Sequence, residues 1–294
     1  MTGKRCIVLK SVMRTIPPRR RAAVLFCGLV TVAAAADPAT AAGCGFEPQG
    51  EGRVSTIIDN RTFRLEDGRE ARLAGIQTVT AGSAALIAGR DVTLRGETDA
   101  PDRWGRQAAF VFAGGSNISV QGSDTAIRGS DASVRGPDIS VQGVLLARGE
   151  ALVSADIADK GCAAELAAAE AVARQSRRGT WADSSVIKNA EKPGDILSSV
   201  GQFAVVEGKV LSVRQAGATF YANFGRRWTR DFAVSISRRM VGSFEAAGIN
   251  LRSLENRHVR VRGWVEQPGG PRIELFSCWT TRGSGRELKH EPEG

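Results

Sequence analysis

The sequence predicts a mainly β protein with a few added helices, arranged as two β-rich units behind an export segment. Three observations predict it. Between Gly52 and Val111 short runs alternate apolar and polar residues with the period of a strand; "RVSTII", "TFRLE", "EARLAGI", "RDVTLRGE" and "RQAAFVF" are separated by turn residues. From about residue 200 the order is three strands, a short helix and two strands, the order of an OB-fold barrel, in about 80 residues. At the start, Arg19, Arg20 and Arg21 precede the apolar run Ala22 to Ala36 and then Ala39-Thr40-Ala41, the layout of a secretory signal with an A-x-A cleavage site.

Residues 1–41 are read as the signal peptide; their apolar run of fifteen residues is shorter than the roughly twenty that a spanning helix needs. No membrane span is expected in the mature protein, which is placed in the periplasm or secreted. The first unit is expected over 44–182. Inside it "SAALIAG" has room for two helical turns at most. Residues 118–145 then hold four near-copies of a seven-residue unit, "ISVQGSD TAIRGSD ASVRGPD ISVQGVL". Glycine in every unit and no second apolar position argue against a coiled coil. The repeat is read as a tandem expansion of a surface hairpin loop over 118–142, since lengthening a loop costs little; a binding loop is the alternative. "AAELAAAEAVARQSRRGTW", 163–181, is rich in strong helix formers and is stopped by Gly179. Residues 183–199 are polar and are read as a linker. The second unit spans 200–282, with "FAVVEGKVLSVRQ", "ATFYANFG", "RDFAVSISR", a helix near "MVGSFEAAG", "HVRVRGWVEQ" and "RIELFSCW"; 283–294 is a polar tail.

Composition adds limits. With 42% hydrophobic and 24% charged residues in 294, the chain can bury a sizeable core in one or two domains. The formal net charge is +9, but residues 1–41 hold seven basic residues against Asp37, so +6 leaves with the signal and +3 remains. Basicity alone therefore says little about nucleic acid. Of five cysteines, Cys6 and Cys27 leave with the signal, and Cys44, Cys162 and Cys278 stay. Their spacing excludes a zinc knuckle. The expected pairing is Cys44 with Cys162, with Cys278 buried in the last strand as a small hydrophobe. A second reading makes "AAGC" a lipoprotein site with Cys44 lipidated, although the usual leucine at its head is missing.

Five markers stand in order in the first unit: "VSTIIDNRTFRL", "RLAGIQT", "DRWGR" leading into "AAFVF", "VLLARGEALVS" and the Ala-rich helix ending in "GTW". In these the unit resembles the staphylococcal nuclease (thermonuclease) family. The resemblance implies an OB-type barrel with added helices, and with the second unit it makes two tandem OB-type domains. It also implies where chemistry should sit. The family places calcium-binding aspartates, a threonine carbonyl and a glutamate proposed as general base, with two arginines on the phosphate, because calcium takes oxygen ligands and guanidiniums stabilise phosphate charge.

At those positions this chain has Arg61 and Gln77 for the two aspartates, Thr78 retained, Val79 for proline and Thr80 for the base; Arg72 and Arg106 are retained. An arginine cannot be deprotonated in a protein and repels a divalent cation. No metal site and no cofactor are expected, calcium entering only if an altered nuclease activity survives. Asp59, Glu66, Asp67, Asp99 and Asp102 do not replace the lost acids. Arg61, Arg72 and Arg106 are instead expected to converge as a phosphate cradle, or else each to pair with a nearby carboxylate. In the second unit Arg226, Arg227 and Arg230 surround Trp228 in "NFGRRWTRDF", a stacking-plus-phosphate pattern suited to single strands; the other reading folds Trp228 onto the barrel.

The leading expectation is an exported, catalytically degenerate thermonuclease-family protein that binds nucleic acid, another polyanion or a protein partner of the cell envelope. The alternatives are an active but altered calcium-dependent phosphodiesterase acting on DNA or RNA, and a structural envelope component.

Overall fold

The computed structural model describes residues 44, 46–96, 100–113, 139–154, 157, 159–246, 248–275 and 281–283. The segment 1–41 read as a signal, most of the repeat, Cys278 and residues 284–294 lie outside them. The chain is mainly β, and its first sheet closes into a five-stranded barrel consistent with an OB-like fold.

Strands β1 (Pro48–Ile57), β2 (Thr62–Leu65) and β3 (Glu70–Leu73) form an antiparallel meander. β4 (Ile76–Thr78), helix α1 (Gly82–Ile87), β5 (Asp91–Arg95) and β6 (Arg106–Ala113) come next. β5 pairs with β1 and β6, and β6 pairs parallel with β3, which closes the ring. Alternation does the sorting: Phe63, Leu65, Ala71 and Leu73 are buried inside the barrel while Arg64 and Arg72 face out.

The repeat needs a correction. Its last copy belongs to the core and not to a surface loop. β7 (Ile139–Ser140) pairs with β6, and Val141 opens helix α2 (Val141–Arg148). Ser140 Oγ accepts the Gly143 N–H and caps the helix. Gln142 is fully buried; its Oε1 accepts the Val111 N–H at 3.1 Å and its Nε2 donates to the Ala109 carbonyl at 2.9 Å. The residues after Gly143, "VLLA", are apolar enough to bury a helix.

β8 (Ala151–Val153) pairs with β4, and α3 (Lys160–Gln175) starts on Asp159, whose carboxylate accepts the Cys162 N–H. The helix ends before Gly179, because Arg177 already has φ +50° and the Arg178 N–H turns back to the Ala173 carbonyl. Gly149 and Gly179 press together at the ends of α2 and α3. A Cβ on either, at 2.2 and 2.5 Å from backbone carbonyl oxygens, would force the segments apart, and both carry positive φ. Cys44 and Cys162 form a disulfide. Since the bridge uses the Cys44 sulfur, it corrects the lipid-anchor reading of that residue.

The stretch read as linker is built into the structure. β9 (Ile187–Asn189) pairs parallel with β10 (Phe203–Lys209), and the short helix α4 (Pro193–Leu197) buries Ile196. The chain then bends at Val210–Leu211 into β11 (Ser212–Ala216), followed by β12 (Thr219–Asn223), β13 (Ala233–Ser237), helix α5 (Arg238–Ala246), β14 (His258–Glu266), β15 (Arg272–Leu275) and β16 (Thr281–Gly283). β11–β12–β13 is a meander, β13 pairs parallel with β15, β15 antiparallel with β14, and β14 with β10. The core is Phe232, Phe244, Ile273 and their neighbours.

β8, α3 and the 179–182 turn meet β10 through Leu152, Ala173, Trp181 and Val205. Beside this patch Arg262 of β14 reaches Glu170 of α3, donating to Oε1 at 2.7 Å and Oε2 at 2.5 Å. No described helix is long and apolar enough to cross a membrane.

Candidate functional site

The first candidate site lies where strands β2, β3 and β6 are neighbours. Asp59 Oδ1 accepts the N–H groups of Arg61 and Thr62, both at 2.7 Å, which folds residues 58–62 into a tight turn. Ser83 Oγ donates to the Asn60 carbonyl and ties that turn to α1. Arg61 is thereby held at the barrel end, where its Nη1 donates to the Ile76 carbonyl at 2.8 Å. The Leu73 N–H donates to the Arg61 carbonyl.

Register brings the other two arginines alongside. Arg72 stands opposite Thr62 on one side and Ala108 on the other, and Arg106 stands opposite Glu70. Arg72 and Arg106 are therefore diagonal neighbours on adjacent parallel strands. The three differ in how they are held. Among the described residues Arg72 has no carboxylate partner. Arg106 does: its Nε and Nη2 donate to Asp102 Oδ2 at 3.0 and 2.9 Å. The expected alternative of a structural ion pair thus describes Arg106, while Arg61 is held by a carbonyl.

Asp102 also accepts the backbone N–H groups of Trp104 and Arg106. Burial pushes its carboxyl up, but these hydrogen bonds and the Arg106 guanidinium outweigh it, and the group sits below the usual carboxylate range. The same turn presents a residue that the sequence reading passed over. Trp104 is 61% exposed, with Arg103 over its ring at 3.8 Å and Arg106 at 4.7 Å. The signal was available in "DRWGR": a tryptophan between two arginines in a turn has nothing to bury it.

The positions of the missing acids are also placed. Gln77 pairs across to Leu152, Thr78 is buried opposite Ala151, Val79 is exposed, and the exposed Thr80 accepts the Gly82 N–H through Oγ1 at 3.4 Å. The nearby carboxylates have other employment. Asp59 holds its turn; Glu66 lies 3.7 Å from Arg53, and Asp67 is bound by Arg69 in the β2–β3 hairpin. Asp99 lies outside the described residues. One carboxylate escaped the sequence reading. The Val79 N–H donates to the Glu150 carbonyl oxygen, and Glu150 Oε2 lies over Gly82, buried and without a hydrogen-bond partner among the described residues. Nothing in "ARGEALV" signals this, because the contact depends on β4 pairing with β8.

In the second sheet Arg226, Arg227, Trp228 and Arg230 form the β12–β13 connection. The Arg227 N–H donates to Asp231 Oδ2, and the N–H groups of Arg230 and Asp231 donate back to the Arg227 carbonyl. Trp228 does not fold onto the sheet; it is 76% exposed and, with Arg226, lines an open groove of about 680 Å³.

No protein-family model matches this chain, and no curated protein matches it.

Proposed function

We propose that the chain is an exported protein of two tandem OB-type domains, similar to the thermonuclease family, which holds phosphate-rich ligands or nucleic acid at the arginines of its first barrel without cutting them. One observation carries the reading. Arg61 occupies the barrel end where the resemblance calls for a metal-binding carboxylate, and Arg72, opposite Thr62 on the neighbouring strand, has no carboxylate partner among the described residues. A fixed guanidinium at the barrel end with an unengaged one on the neighbouring strand suits a phosphate oxyanion and needs no metal. Arg106, held by Asp102, keeps Nη1 for a ligand. The disulfide agrees with an oxidising compartment. The binding face serves nucleic acid, another polyanion or an acidic protein of the cell envelope.

The test is a titration with a nucleoside 3′,5′-bisphosphate in chelator at two salt concentrations. Binding is expected without metal and weaker at the higher salt. Arg72→Ala is expected to cost about tenfold or more, the size of a charge-assisted hydrogen bond. Absence of binding at low salt, or an Arg72→Ala variant equal to wild type, overturns the reading.

Glu150 favours a second reading. Its unpartnered oxygen beside the Thr80 segment is a carboxylate near the position of the lost base, which an altered phosphodiesterase would use. Calcium-dependent digestion of DNA or RNA, lost in Glu150→Gln, would establish it.

A further inference from the structure

We propose that the groove of the second sheet is a separate binding site for single-stranded nucleic acid, with Trp228 as the stacking platform and Arg214 and Arg226 as phosphate contacts. Its position comes from the strand order. The groove is formed by β11, β12, the 224–232 connection and the Pro268–Pro271 turn between β14 and β15. Strands in this order present a face and end loops of the kind that OB-type barrels offer to oligonucleotides.

Its chemistry comes from the residues that line it. Tyr221 and Trp228 supply two aromatic rings, Arg214, Arg226 and Arg272 supply positive charge, and among the described residues no carboxylate lines the groove. Arg272 is engaged by Glu266 at 3.2 Å. Arg214 and Arg226 have no carboxylate partner among the described residues. A polyanion is therefore complementary to this surface, and an acidic groove wall does not oppose it.

The loop is braced before any ligand arrives. A Cβ on Gly225 would fall 2.1 Å from Asp231 Oδ2 of the same connection, and one on Gly270 would fall 2.8 Å from the Asp231 carbonyl oxygen, so the connection is closed on itself at Gly225 and the two loops are pressed together at Gly270. The Phe224 N–H donates to the Phe232 carbonyl at 3.0 Å beneath them. Trp228 is thus displayed from a held turn with most of its surface in water, where a large aromatic ring gains by being covered. A base offers its face for that only when it is unstacked. Single strands qualify, and duplexes, whose bases are already stacked and paired, do not.

The experiment measures anisotropy of a labelled oligothymidylate and of a matched duplex with the whole mature chain, in chelator. Tight single-strand binding, weakened by salt, and weaker duplex binding are expected. Trp228→Ala is expected to weaken the single strand by about tenfold or more, and Trp228→Phe to retain most of it. Trp228 is exposed, so an unchanged unfolding midpoint will show that the fold survives. The titration is repeated in the Arg72→Ala background, where the first barrel contributes least and the loss on Trp228→Ala is expected to persist, which separates the site from the first barrel. Equal binding by Trp228→Ala and wild type overturns the proposal, as does a duplex bound as tightly as the single strand, or a wild type that binds neither oligonucleotide.

Discussion

Removing the Glu170 carboxylate should destabilise the protein by about 3–5 kcal/mol, the cost of leaving one member of a buried ion pair alone. The magnitude comes from the surroundings. Glu170 and Arg262 are 2% and 13% exposed at their side chains, so solvent screens them little. The carboxylate accepts two guanidinium hydrogen bonds and also the Val153 N–H at 2.9 Å; Arg262 further donates to the Val153 carbonyl at 3.2 Å. Glu170→Ala therefore orphans a buried cation and a buried strand N–H together. The apolar patch of Leu152, Ala173, Trp181 and Val205 remains, so β8 and α3 stay in contact with β10 and the loss is read as stability. Urea unfolding followed by tryptophan fluorescence supplies the number by linear extrapolation. Arg262→Met should cost a similar amount, and Glu170→Leu with Arg262→Met should recover most of it, because a well-packed apolar pair removes both desolvation penalties. A Glu170→Ala loss below about 1 kcal/mol, the range of an exposed pair, refutes the reasoning.

Three further expectations concern other parts of the molecule. Replacing Cys44 and Cys162 by serine should cost on the order of 4–5 kcal/mol, since the bridge closes a loop with a sequence separation of 118; an unchanged unfolding midpoint under reducing conditions would contradict this. Glu165 accepts the Cys44 N–H, but burial raises its carboxyl above the ordinary value. The folded state then binds the proton more readily, so stability falls as pH rises from the ordinary carboxylate pKa through the raised one. Glu165→Gln should stabilise the protein at pH 8 and do little at pH 4, and a variant less stable than wild type at pH 8 would reverse the sign. Calcium calorimetry on wild type should show no millimolar isotherm, with Arg61→Asp, Gln77→Asp and Thr80→Glu together as the smallest set from which one is expected; an isotherm for wild type contradicts the assignment of those positions.

The barrel was legible where local pattern and tertiary demand agreed. Alternation in "TFRLE" and "EARLAG" sorts Phe63, Leu65, Ala71 and Leu73 inward without help from the rest of the chain. The cysteine pairing was also readable, from the positions of two residues relative to a strand and a helix. The repeat shows the limit. "ISVQG" occurs at 118–122 and again at 139–143, and the second copy is a capped, buried helix start because of the apolar residues after it. Polar composition misled over 183–199 for a related reason: Ile187 and Ile196 suffice to seat a short strand and a helix once β10 offers an edge. At the candidate site the arginines were named from the family resemblance, and their hydrogen-bond partners were not anticipated. Asp102 is four residues from Arg106 and could have been anticipated; Glu150 could not, because only the β4–β8 pairing brings it to Thr80.

The central claim is that the first barrel holds phosphate and does not cut it. The most direct measurement tracks the anisotropy of an end-labelled oligonucleotide over time with the mature protein, in calcium and in chelator, in the Trp228→Ala background so that the second groove contributes least. An initial rise of equal size in both conditions, abolished by Arg72→Ala and followed by no decay, is the result predicted. A decay in calcium that chelator prevents would show cleavage, and no rise at low salt would show that the arginines bind nothing; either contradicts the account.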